Sequence, residues 1–159
     1  MDIRETLIVE LDEARARLYG LVQDFDPVVE VYPGWTVKEL LAHLTGWDDL
    51  VIAALEAVMN NEPMPMSAIT GVDPYNASTV SERSNLPLER IRHEFHSTGE
   101  VLKTTIRRLP AERYDEVVDL PWGGRASIAS MIRIFSHHEH EHYGEIVAHM
   151  GLNKPAETT

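Results

Sequence analysis

The chain carries eight histidines and no cysteine, and five of the histidines fall between positions 137 and 149. Two of these, His138 and His142, stand four residues apart. On a helix that spacing places two imidazoles one turn apart on one face, where both can reach a single ion. Around them Ile128, Met131 or Ile132, Phe135 and Ile146 mark an inward stripe at intervals of three and four. The two histidines therefore occupy positions where apolar residues are expected. Burying an imidazole without a partner costs on the order of 1–3 kcal/mol, so two in succession call for one. His43 offers a third nitrogen, because it lies between Leu40 and Trp47 on a second inward stripe. Three neutral imidazoles suit Zn²⁺, Ni²⁺, Fe²⁺ or Co²⁺ and leave a coordination position for water or substrate. Ca²⁺ and Mg²⁺ prefer oxygen and fit poorly.

A plainer reading competes with this one, since a run as rich as His137–His142 is often just a solvated, mixed-charge face. His137 and His140 fall off the stripe and are expected to be exposed or supporting groups. His149 is peripheral, two turns beyond His142, and His93 and His96 read as surface residues of another helix. Glu139, Glu141 and Glu145 are the candidates to receive the outer ring N–H of a ligating imidazole. Trp35, Trp47 and Trp122 read as packing residues, and Met64 and Met66 as part of a surface loop or pocket cover. With no cysteine there can be no disulfide, thiolate zinc site or protein sulfur nucleophile, so any thiol chemistry needs an external thiol.

Four helical segments must position these groups. The first runs from Ile3 to about Gln23 along Leu7, Leu11, Leu18 and Leu21 or Val22, and Asp26-Pro27 closes it. The second follows Pro33-Gly34-Trp35, with Thr36 as N-cap and Glu39 completing a capping box, and runs to about Asn60. Residues 61–76 hold three prolines and a glycine and read as loop; a short helix is expected near Ala77–Ser84. The third main helix spans Pro87 to Leu109 and is stopped by Pro110. Residues 111–126 form a second long connection. The fourth helix runs from Ser127 to Met150, where Gly151 supplies the stop, and Leu152–Thr159 is expected to be a frayed tail. Helices of this length, about 30–37 Å at 1.5 Å per residue, assemble most naturally as one four-helix bundle domain. The long connection after the second helix can cross the bundle, so neighbouring helices need not alternate in direction.

The 159 residues suffice for a sizeable core. Twenty-six acidic against fourteen basic residues give a net charge of −12. Such a surface repels phosphate backbones and anionic lipid, which argues against nucleic-acid and membrane partners. No apolar stretch is long enough to span a bilayer, and the first residues lack a signal-peptide pattern, so a cytoplasmic location is expected.

Two motifs resemble the DinB/YfiT-like family of metalloenzymes. One is Gly34-Trp35-Thr36-Val37-Lys38-Glu39-Leu40-Leu41-Ala42-His43, and the other is His138-Glu139-His140-Glu141-His142-Tyr143-Gly144-Glu145-Ile146. The resemblance implies an all-α bundle of up-down-down-up order, with His43, His138 and His142 as a metal triad and homodimers among relatives. It also implies thiol-dependent transferase activity, in which the metal, Zn or Ni foremost, activates a low-molecular-weight thiol against a small electrophile. A weaker similarity to the ClbS/DfsB branch, in the opening of the second helix and in Gly71-Val72-Asp73-Pro74-Tyr75-Asn76, implies hydrolysis instead. On the residues themselves, that rival reading takes metal-bound water as nucleophile and Glu139 or Glu141 as base. A non-enzymatic bundle holding a structural ion, or none, is the remaining alternative.

Overall fold

The computed structural model describes residues 1–66 and 72–151. Its frame is four long helices: α1 (Ile3–Val22), α2 (Val37–Met59), α4 (Leu88–Arg108) and α5 (Ile128–Met150), with a shorter α3 (Val72–Ser81) against α2. Each begins or ends on the chemistry its sequence supplies. The Asp2 carboxylate accepts from Arg4 N–H at the start of α1 (2.8 Å), and Glu39 accepts from Thr36 N–H at the start of α2 (2.8 Å). Ser127 Oγ accepts from Ser130 N–H at the start of α5, and Gly151, in the left-handed region at φ +67°, ends it.

Helix directions follow from which residues meet. Along α1 and α5, Glu10 pairs with Arg133, Arg15 with Glu139, and Arg17 stacks over Tyr143, so both numbers rise together and the helices are parallel. Between α1 and α4 the partners run oppositely: Glu5 with Arg107, Asp12 with Lys103, Tyr19 with Phe95. Helices α2 and α5 are likewise antiparallel, since His43 meets His142 and Trp47 meets His138. The bundle is therefore up-down-down-up.

Two apolar clusters fill it. One gathers Leu7, Leu11, Val51, Leu55, Leu102, Ile106 and Ile132, and the other Leu18, Leu40, Leu44, Ile91, Phe95 and Ile146. Between them, at the waist, lies a buried polar layer from α1, α2 and α5. Helix α2 is the central element: every residue from Leu41 to Asp48 is buried. That explains why its polar residues carry consequences.

Both long connections hold more structure than their composition suggests. Helix α3 begins at Val72, five residues before the expected Ala77, because Pro74 falls in the first turn, where a missing N–H is harmless. Tertiary contacts then hold it: Tyr75 Oη donates to Gly46 O (2.6 Å) and Trp47 Nε1 donates to Asn76 Oδ1 (2.7 Å). The approach needs glycine at 46, where a Cβ would stand 2.2 Å from Thr79 Cγ2. The second connection contains a 3-10 turn (Ala111–Asp115) and an antiparallel hairpin of β1 (Val117–Asp119) and β2 (Arg125–Ser127). Three-residue strands are too short to show alternation. The expected frayed tail, 152–159, lies outside the described residues. No described helix is long and apolar enough to cross a membrane.

Candidate metal centre

His43 on α2 and His138 and His142 on α5 converge at the waist. Each offers a ligand atom within 4.8 Å of the others', and His43 Nε2 lies 3.2 Å from His142 Nε2. The antiparallel crossing of α2 and α5 does this, because both stripes face one seam at the same height. His43 and His142 are buried and His138 is half-buried. Burial, reinforced by the two other imidazoles, pushes His43 down to about 3, and burial with His138 lowers His142 to about 4. Burial lowers His138 as well. All three are therefore neutral at pH 7, the state in which imidazole ligates. Two neutral rings with Nε2 atoms at 3.2 Å and no acid between them form a donor set that a cation satisfies.

Aromatic rings and a phenol hold the set in place. Trp35 packs on His43 with ring centroids 5.2 Å apart, and Trp47 borders both His43 and His138. The Tyr32 hydroxyl lies 2.6 Å from His142 Nδ1. His43 Nδ1 is buried and has no hydrogen-bond partner among the described residues. His138 opens onto a cavity of about 460 Å³, walled by Trp47, Trp122, Phe135 and Ile134 and edged by Arg133 and Glu141.

One of the candidate acids stands elsewhere than the sequence suggested. Glu139, a candidate to support an imidazole or act as base, is fully buried and turned toward α1. There it accepts from Arg15 Nε (2.9 Å) and Nη2 (2.7 Å), while Arg15 Nη1 donates to Asp48 (2.9 Å). Burial pushes Glu139 up to about 7 against the pull of Arg15, and it raises Asp48 too. Burial alone would lower Arg15, but the two carboxylates outweigh it and hold its charge. Glu141 is exposed and lies 3.4 Å from His137, itself exposed. Glu145 is exposed, and its charge adds to burial in raising the Tyr32 phenol above its ordinary value. His93, His96 and His149 are exposed, and His140, off the stripe, is partly so. Met64 packs at the edge of the first apolar cluster, and Met66 is exposed.

Arg15, Asp48 and Tyr32 were not singled out in the sequence. The first two left a signal: Arg15 follows Leu7 and Leu11 on the α1 stripe, and Asp48 falls between Leu44 and Val51 on α2. Tyr32 left none, because it sits in a turn.

The family model for the DinB superfamily matches residues 10–146, so the chain belongs to that superfamily. Among solved structures, a mycothiol-dependent maleylpyruvate isomerase superposes with a TM-score of 0.76 at 14% identity, covering 90% of this chain. This chain spans 60% of the length of that protein. YfiT from Bacillus subtilis, described as "a probable metal-dependent hydrolase with an unusual four-helix bundle topology", superposes with a TM-score of 0.69 at 16% identity, covering 93% of this chain and 87% of its own. At these identities the likeness establishes the fold. None of the curated proteins matches the chain by sequence.

Proposed function

We propose that the chain is a metal-dependent enzyme that joins an external low-molecular-weight thiol to small, largely apolar electrophiles, with His43, His138 and His142 as ligands. The observation that carries this is the convergence of three neutral imidazoles beside a cavity into which one of them opens. A divalent ion held there would act as a Lewis acid and lower the pKa of a thiol brought to it. The protein supplies the rest. Trp47 and Trp122, with centroids 5.9 Å apart, and Phe135 offer an apolar wall against which a flat electrophile is desolvated and oriented. A thiol must come from outside, because the chain has no cysteine. The likeness to a mycothiol-dependent isomerase supports the thiol.

The second reading is hydrolysis, favoured by the likeness to YfiT. The buried acids near the triad, Glu139 and Asp48, both accept from Arg15, which leaves Glu141 at the cavity edge as the available base. Turnover of a chromogenic aryl halide separates the two. Product that forms only with added thiol and divalent metal, and is lost in His138→Ala, is the expected result. Turnover without any thiol would overturn the transferase reading and leave the hydrolase.

A further inference from the structure

We propose that Tyr32 and Glu145 are positioning residues that fix the tautomer of His142, with His142 Nδ1–H donating to the Tyr32 phenol oxygen and the phenol O–H turned to the Glu145 carboxylate. The inference rests on His142 being a ligand through Nε2.

The 2.6 Å contact between Tyr32 Oη and His142 Nδ1 can be made in two ways. If the phenol donates, the ring proton must sit on Nε2. That nitrogen faces His43 Nε2 at 3.2 Å, and a proton there would block ligation. If Nδ1–H donates, the Nε2 lone pair is free. Ligation through Nε2 therefore decides between the two, and the phenol proton turns to an acceptor of its own. Glu145, three residues beyond His142 on α5 and with an exposed carboxylate, is assigned as that acceptor, a carboxylate being far stronger in this role than a neutral imidazole.

The turn that presents Tyr32 is built to hold it. Tyr32 and Trp35 form an isolated bridge, with Trp35 N–H donating to Tyr32 O (2.9 Å), and Gly34 at φ +79° makes the reversal. One turn thus sets Tyr32 against His142 and Trp35 against His43. Among the described residues, His142 is the one imidazole of the three whose outer nitrogen has a hydrogen-bond partner, and groups placed so raise ligand basicity and fix ring orientation.

The test uses tag-free full-length protein, with Co²⁺ titrated against a competing chelator and read by its visible absorption. Tyr32→Phe keeps the ring and should weaken Co²⁺ by about 10- to 100-fold. Glu145→Gln should weaken it less, and Glu5→Gln, which alters only an exposed pair with Arg107, should leave it unchanged. The metal-free Tyr32→Phe protein should melt within about 4 °C of wild type, so that the loss is not one of folding. Nitrogen-15 spectra of metal-free wild type should show the His142 proton on Nδ1, and on a mixture of both nitrogens in Tyr32→Phe. Wild-type affinity in Tyr32→Phe, or a wild-type proton on Nε2, would overturn the proposal. Wild type that takes up no Co²⁺ but keeps the Nδ1 proton would overturn the metal reading while leaving the tautomer assignment in force.

Discussion

Two polar clusters lie side by side at the waist of the bundle, and they differ in how their needs are met. In the first, Arg15 spans two buried carboxylates, Asp48 and Glu139, and ties α1 to α2 and α5. Apart from Glu139 Oε2, which has no partner among the described residues, its donors and acceptors answer one another. In the second, three uncharged imidazoles from α2 and α5 bring one ligand atom each within 4.8 Å of one another, with no countercharge between them. Neighbours on one helix, Glu139 and His138, thus belong to different kinds of chemistry. A cluster closed by its own countercharge holds the fold together, whereas one that ends in lone pairs is arranged for a ligand.

That contrast can be broken from either side. The largest effect is expected at Arg15, since removing one partner of a buried ion pair leaves charges uncompensated. Arg15→Met should lower the unfolding free energy by about 3–5 kcal/mol in urea titrations. His142→Ala should act differently: the metal-free protein stays folded, but its stabilisation by added metal disappears. For wild type at a hundredfold excess over Kd that stabilisation is about 2.7 kcal/mol, seen as a rise in melting temperature.

Smaller, and of definite sign, is the effect of pH on the metal-free protein. Unfolded histidine takes up a proton near 6.5, whereas folded His43 and His142 refuse it until about 3 and 4. The unfolded chain therefore binds more protons as pH falls below 6.5, and stability drops. Glu139, raised to about 7, works in the opposite sense, because its folded form takes up the proton first. Comparing wild type with His43→Gln removes that common part. The stability gap should move toward the variant by about 1 kcal/mol between pH 6.5 and 5.5. A gap independent of pH would mean that His43 is not held neutral by burial. Least of all should Arg107→Ala matter. It breaks an exposed pair with Glu5, and a change within about 0.5 kcal/mol with metal uptake intact is expected.

How much of this was legible in the sequence depends on length and period. The four long helices and the two histidine stripes repeat over five or six turns, and the structure brings His43, His138 and His142 together as those stripes imply. Helix α3 is expected five residues too late and the hairpin reads as plain connection, because ten residues with a proline in the first turn, or three per strand, carry little periodic signal and form by docking. The role of Glu139 was misread for another reason. A carboxylate next to a candidate ligand invites pairing with it, yet on a helix adjacent residues point about 100° apart, and Glu139 turns to Arg15 on α1. Tyr32 reaches His142 across 110 residues from a turn, and no local pattern foretells such a contact.

The central claim is that three imidazole nitrogens on two helices hold one divalent ion. Equilibrium dialysis of tag-free protein against Zn²⁺, followed by elemental analysis, addresses it directly. One ion per chain in wild type, and none in folded His43→Ala or His142→Ala, is the predicted result. Folded wild type that retains no ion, or variants that retain as much as wild type, would contradict it.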